Sequence, residues 1–599
     1  MMQRGLRACL PVVLALCWTS LIVRPAVAQP DSLQTTASQG LSDVRERAPV
    51  DITQDASRDE ILAELDTLLA TMAVHGTSRD AALLSEIARF RRAVALAGAA
   101  PVDERAGWLA YLSADDGPGA VLVHAVVPAD RKAGVLETLG DLREVFGAET
   151  VARYPALVAA LCIVHDGEEP FGRRVNENTA KSAGPVALFR YYTGNERKML
   201  FGLRNVPPEL LVFVVDAAAS IDELEWALTE HRGDRAVGER FFDIDYDHEH
   251  ARTGSAKKVT ERGFTIQNIR KYGGVCADQC HYAVAVGKAI GVPTAYVVGR
   301  GGEVGHAWVG FLESQGRRAR WNFDVGRYDE YQGVLGVVMD PQTRGSIGDD
   351  ELGLLARLAS VSERQRHVAT AWLDAAEALQ AGVAPLALEE RRRGATERRG
   401  RSGVLELAEM ALRQNPADRR GWAIVAKAVN DPAMPMADRV QWSSVIIRLC
   451  KDAGAEHFMV GMLEPMVASM EDPKDRIATW ERVLDHVKSK KDLRARIRLW
   501  QAADAIERGD KHGAYLAYQD VIDTALNSTS MSRYAVAGAV GMLERDGKYR
   551  EAATLLGDVL KRVDRPTHAA AFSAGSNYNA IRTMAEAYSA RHGVAVAGL

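Results

Sequence analysis

From Ser57, a candidate helix N-cap, apolar residues recur at helical spacing through Ile61, Leu62, Leu65, Leu68 and Leu69, then through Leu83, Leu84, Ile87, Phe90 and Val94. This pattern predicts a mainly helical region over 58–180, with one apolar run, 120–127, of a kind that also suits a strand. Ahead of it, 29–57 is polar, rich in Ser, Thr and Gln, and lacks apolar periodicity, so it reads as a flexible linker. From about residue 186 the period changes. Segments 186–192, 210–215 and 241–246 are short β-branched or aromatic runs of strand type, and 221–230 between them reads as helix. After Gly274 a buried-looking helix over 276–290 precedes three predicted strands, 294–298, 307–312 and 320–324. Mixed elements in this order predict an α+β domain over 186–345. Beyond 350 strand signals vanish and helices are expected to residue 599.

Two C-terminal segments superpose at an offset of 38 residues. Gly509-Asp510 with Ala514, Tyr518, Val521 and Ile522 matches Gly547-Lys548 with Ala552, Leu556, Val559 and Leu560. A third piece, Ala411-Leu-Arg-Gln-Asn-Pro-Ala-Asp followed by Trp422, joins a helix, an Asn-Pro turn and an aromatic on the next helix. Together these resemble tetratricopeptide units, so 350–599 is expected to be a tetratricopeptide-like helical array. Such arrays stack helix pairs into concave surfaces that hold peptides or partner proteins, although a plain structural helical domain accounts for the pattern about as well.

Composition narrows the classes. The chain has 599 residues, 47% hydrophobic and 26% charged, enough for several domains with sizeable cores. Net charge is −5; residues 1–28 carry Arg4, Arg7 and Arg24 and no acid, so the remainder carries −8. That balance argues against nucleic acid or an anionic membrane as main partner. Residues 1–28 read as a signal peptide: two arginines, an apolar stretch, then Ala26-Val27-Ala28 as a cleavage site, implying export to a periplasmic or extracellular space. No later stretch is long and apolar enough to span a membrane. Past Cys9 and Cys17 only Cys162, Cys276, Cys280 and Cys450 remain, too few for a disulfide framework.

The chemistry concentrates in Tyr272-Gly273-Gly274-Val275-Cys276-Ala277-Asp278-Gln279-Cys280-His281. Paired glycines break the preceding element and permit close backbone approach, and Cys276 then falls on the first turn of the following helix. There the helix dipole, with help from a histidine, can bring a thiol from about 8.5 down to roughly 3.5–7.5. The base is His306, at the start of a strand (Gly305-His-Ala-Trp-Val-Gly-Phe311) whose alternation puts Trp308 on the same face. Asp324 closes the next strand, Trp321-Asn-Phe-Asp324; an antiparallel hairpin is expected to bring it to the histidine ring.

Glycine-valine-cysteine at a helix start, Gly-Val-Pro before Tyr-Val-Val-Gly, His-Ala-Trp and an aspartate one hairpin on: this order and spacing resembles the transglutaminase-like superfamily over about 200–345. The resemblance implies a papain-like fold and acyl transfer through a Cys276 thioester, with water or an amine as acceptor and a protein or peptide amide as substrate. It implies Cys276, His306 and Asp324 as nucleophile, base and orienting carboxylate. The family also contains non-catalytic copies, so a binding scaffold that recruits partners through its helical array is the alternative. The Cys276 amide is the expected oxyanion donor; Gln267, Asn268 and Tyr272 upstream, and Trp308 beside His306, are candidates for a second donor or for substrate contact.

Neighbouring residues have plainer readings. Cys280, one turn beyond Cys276, suits core packing, and Asp278 suits the helix dipole or a cap. A zinc site joining Cys276, Cys280, His281 and His306 lacks a usual spacing, and no other metal or cofactor motif is legible. Asp329 and Asp340 rival Asp324, but Asp340 before Pro341 reads as a turn. Asp243, Asp245 and Asp247 start like a calcium loop, yet His248 and Gly254 stand where Gly and Glu are required.

Overall fold

The computed structural model describes residues 30–75, 80–167, 182–301, 304–314, 316, 319–328, 331–386, 393–565 and 576–599. The predicted signal peptide, 1–28, lies outside them, as does Asp329. The described chain is mostly helical, with one small antiparallel sheet in its middle, and is α+β in the broad sense. A continuous apolar core runs from Ala37 to Ile497, and a second, smaller one joins Ala495 to Val596.

The segment expected as a linker is helix Pro30–Asp51. Its few apolar residues, Ala37, Leu41, Val44 and Ala48, fall on one stripe and are buried; with small residues such as Gly40 seated against Leu68, a sparse stripe suffices. Two runs read as strands are helical instead, Pro185–Gly194 and Pro208–Val215, and the third, 241–246, begins in the 3₁₀ turn Gly238–Asp243 and ends at Tyr246 in an isolated bridge to Gly274. Run 120–127 likewise lies largely in helix Gly117–Ala125. All but one residue of Pro208–Val215 are buried, so it has no polar face to reveal a 3.6-residue period, whereas proline at its first position fits a helix start.

The sheet comprises β1 (Thr294–Gly301), β2 (Val304–Ser314), β3 (Arg320–Asn322), β4 (Val337–Met339) and β5 (Ser346–Gly348), in the order β3-β2-β1-β4-β5. The first three coincide with predicted strands; β4 and β5, three residues each, have too little pattern to read. Helix Cys276–Ala289 packs along β1 and β2. Cys280 Sγ donates to the Trp308 carbonyl (3.0 Å) and Thr294 Oγ1 to the Val284 carbonyl (3.0 Å), so the cysteine one turn past Cys276 pins helix to sheet.

From Glu363–Gln380 onward the described residues form helices and their connections. The 38-residue offset is visible in the backbone: Gly509 (φ +74°) and Gly547 (φ +73°) both take left-handed conformations just before helices Lys511–Ala525 and Tyr549–Arg562. Ala514 and Ala552, and Val521 and Val559, are fully buried at matching places.

Candidate active site

Gly273 sits at φ +81°, and a Cβ there would meet the Asp245 carbonyl at 2.5 Å; one on Gly274 would meet the Asp278 side chain, its Cβ at 2.5 Å and Oδ2 at 2.6 Å. The glycine pair therefore admits the protein's own backbone. Segment 245–247 runs beside it, with Gly274 N–H donating to Asp245 (3.0 Å) and Asp247 N–H to Gly274 (2.8 Å). Asp278 is fully buried at the start of the next helix, accepts from Val275 N–H (2.8 Å) and pairs with Lys257 Nζ (2.8 Å), a capping role. Asp247 likewise caps helix His248–Thr253 by accepting from His250 N–H (3.1 Å), and Asp243 pairs with Arg240 (3.0 Å).

Cys276 opens its helix half-buried. Its sulfur lies at the amides of Ala307 and Ala277, which favour thiolate, but burial outweighs them and pushes the thiol above its ordinary value; Asp278 adds to the rise and Lys257 opposes it. The Ala307 amide belongs to the residue after His306, so helix start and strand start meet here.

His306 is almost fully buried. Its Nε2 lies 2.6 Å from the Gly326 carbonyl, and since a carbonyl only accepts, Nε2 carries the proton and Nδ1 the lone pair. The ring stacks against Tyr328 (centroids 4.5 Å apart) and Tyr331 (4.6 Å), with Phe241 edge-on at 6.4 Å. Burial lowers the imidazole to about 4, the Gly326 bond opposing the fall and Arg327 adding to it. At neutral pH the resting pair is a neutral thiol and a neutral imidazole rather than the thiolate the helix dipole suggests.

Asp324 does not occupy its expected place. It is exposed, its own N–H is bound to Asn322 Oδ1 (2.9 Å), and the imidazole nitrogen it was to orient is bound to Gly326. The hairpin register explains the difference. Phe311 pairs with Asn322, so that ladder, if continued, would set Arg327 opposite His306, past Asp324. Gly326 is the residue that fits: at φ +77°, with Phe241 carbon where a Cβ would stand (2.8 Å), only glycine presents its carbonyl here without strain. Asp340 is buried in a turn, accepting from Gln342 N–H (3.0 Å) and Thr343 Oγ1 (2.8 Å) and paired with Arg419.

The secondary candidates divide. Trp308 is fully buried beneath Arg327 (4.7 Å from its ring centroid), so it is a packing residue out of a substrate's reach. Asn268 is committed to the Arg262 and Gly263 carbonyls (2.7 and 3.0 Å). Tyr272 is half-buried under the cations of Lys271 and Arg262 (5.2 and 5.7 Å). Gln267 keeps a buried Oε1 without a hydrogen-bond partner. The group missed from sequence is Tyr246, bridged to Gly274 just ahead of the Cys276 helix; burial raises its phenol, with further contributions from Cys276, Tyr328 and Tyr331. Among the described residues no group of three or more His, Cys, Asp or Glu is arranged to hold a metal ion, and no helix is long and apolar enough to cross a membrane.

Compared with known proteins, the chain matches no family model, no curated protein and no solved structure. Fold and site together define a mostly helical α+β protein with a thiol and an imidazole at one helix–strand junction.

Proposed function

We propose that the chain is an exported cysteine acyltransferase or hydrolase of transglutaminase-like type, acting on protein or peptide amides through a Cys276 thioester. Its catalytic core is the papain-like unit over 186–345, and its helical regions present substrate. The observation that carries this reading is the meeting of the Cys276 sulfur with the amide next to His306, whose Nε2–H is anchored on Gly326. That anchor leaves Nδ1 as the base. Cys276 attacks the amide carbon as Nδ1 takes the thiol proton; the C–N bond breaks and the proton passes to the leaving amine; water or an amine then opens the thioester. The raised thiol and lowered imidazole make that proton transfer, from thiol to ring, uphill in the resting structure. The Cys276 N–H, on the first turn of its helix, is the donor assigned to the oxyanion.

The second reading, a non-catalytic scaffold recruiting proteins through a tetratricopeptide-like array, is favoured by the raised thiol and by the distance of Asp324 from its expected role. Mass spectrometry separates the two. Casein-like proteins and glutamine-containing peptides are incubated with the wild type and with Cys276→Ala, and cleavage, deamidation and crosslinking are scored separately. The enzyme reading expects one channel to disappear in the variant; equal product from both proteins in every channel refutes it.

A further inference from the structure

The segment stacked on His306 is not held by the sheet alone. Arg327 braces it from within: Nε donates to the Tyr331 carbonyl (3.0 Å), another guanidinium nitrogen to Val334, and Nη1 faces Asp349 (3.4 Å), while Gln332 Nε2 donates to the Arg327 carbonyl (3.2 Å). At its far side the Gln332 carbonyl accepts from Ser530 N–H (3.1 Å), Thr529 Oγ1 (3.2 Å) and Ser530 Oγ (3.2 Å), nearly 200 residues later in the chain. The approach is tight enough to dictate composition. Gly333 is left-handed (φ +80°), and a Cβ there would stand 2.5 Å from Thr529 Oγ1 and 3.0 Å from the Met531 methyl.

Thr529 and Ser530 are themselves buried, in the turn between helices Lys511–Ala525 and Ser532–Arg545. Asn577, at the start of helix Asn577–His592, clamps that turn by donating to the Leu526 and Thr529 carbonyls (3.0 and 2.8 Å), and Ser532 Oγ donates to Ala525 and Thr529 (2.7 and 3.1 Å). The contact point is thus braced by three helices of the second apolar core. A rigid turn in one core meets the segment that encloses a titratable ring in the other.

We propose that the C-terminal helical array positions the imidazole of His306: Thr529 and Ser530 are positioning residues that act through the Gln332 carbonyl on the adjoining Tyr331, whose ring lies against the imidazole. The proposal rests on the reading of Cys276 and His306 as the working pair. In consequence the array is part of the catalytic unit rather than a separate recruiting module, and disturbing one turn of it alters the hydration of a ring in the other core. Among the described residues, groups facing that ring include the Gly326 carbonyl, the Arg327 guanidinium, the phenols of Tyr328 and Tyr331, the Phe241 and Trp308 rings, and the Cys276 thiol beyond Ala307.

The test follows the imidazole itself in the full chain. With histidine carrying carbon-13 at Cε1, the His306 signal is assigned as the one lost in His306→Gln and titrated by NMR. The wild type is expected to titrate near pH 4. In Thr529→Val/Ser530→Ala the midpoint should move upward by at least one unit, as water reaches the loosened ring, and Thr529→Ser, which keeps the hydroxyl, should titrate as the wild type. Gly333→Ala, which drives a methyl into Thr529, should reproduce the upward shift and serves if the double variant does not fold. A midpoint unmoved in folded Thr529→Val/Ser530→Ala or Gly333→Ala overturns the proposal. This readout needs no turnover: should Cys276→Ala leave all product channels unchanged, the catalytic reading fails while the titration still reports whether the array holds the ring.

Discussion

Where helices Ala81–Ala97, Glu363–Gln380 and Arg419–Val429 meet, Asp374 is buried between two guanidinium groups, Arg92 (2.6 and 2.7 Å) and Arg420 (2.7 Å), which hold its carboxyl well below the usual carboxylate range despite burial. Where helix Cys276–Ala289 meets β2, a buried imidazole and a half-buried thiol are left neutral, the Cys276 thiol pushed up and the His306 imidazole pushed down. The first junction matches charge to charge and fixes how two helical regions sit together. The second leaves a thiol and an imidazole uncharged at one helix–strand junction, with no ion pair between them.

Removing Asp374 should give the largest effect. Asp374→Ala takes the shared carboxylate from two half-buried arginines, leaving Arg420 to Glu377 and Arg92 to the Val123 and Val126 carbonyls. It is expected to cost about 3 kcal/mol, read as a fall in urea midpoint with an unchanged slope. A loss below about 1 kcal/mol would mean that the junction does not depend on charge.

Acid should separate the two junctions next. His306 has a folded value near 4 against an ordinary 6.5, so its contribution is present above pH 6.5 and is lost as pH falls toward 4, to a total of about 3 kcal/mol. Asp374, held below its ordinary value, contributes undiminished through that window and is lost only below the usual carboxylate range. His165, His281 and His367 are lowered to about 4 as well, so the His306 share is the difference in acid slope between wild type and His306→Gln. Identical slopes would show that the ring is hydrated in solution.

Cys276→Ala should barely change stability, by about 1 kcal/mol or less in thermal melts, because the thiol is half-buried and neutral. The smallest effect is expected for Asp324→Asn: within about 0.5 kcal/mol in stability and within twofold in product formation, since the carboxylate is exposed and the imidazole is bound to Gly326. A hundredfold loss of product would restore Asp324 as the orienting group.

The parts of this fold legible in the sequence were those with a polar face or a rule-bound residue. Strands β1 and β2 stand out because Val297 and Val298 and the Trp308–Leu312 run are β-branched or apolar and are bounded by glycine-rich or polar turns. Helices buried on all sides, such as Pro208–Val215, carry no period, and only the N-terminal proline tells them from strands. At the site, Cys276 and His306 announce themselves by side-chain chemistry. The orienting group did not, because it is a backbone carbonyl, and its one trace is a glycine at 326. Tyr246 was unreadable because its place follows from a parallel bridge to Gly274, a pairing that leaves no local pattern.

The pairing of thiol and imidazole is tested most directly by acylation of Cys276 itself. Incubated with an activated peptide ester and followed by intact-mass and peptide mass spectrometry from pH 5 to 9, the wild type should gain one acyl group on Cys276, and His306→Gln should gain it at least a hundredfold more slowly at neutral pH. No adduct on Cys276, or equal rates in both proteins, would contradict the account.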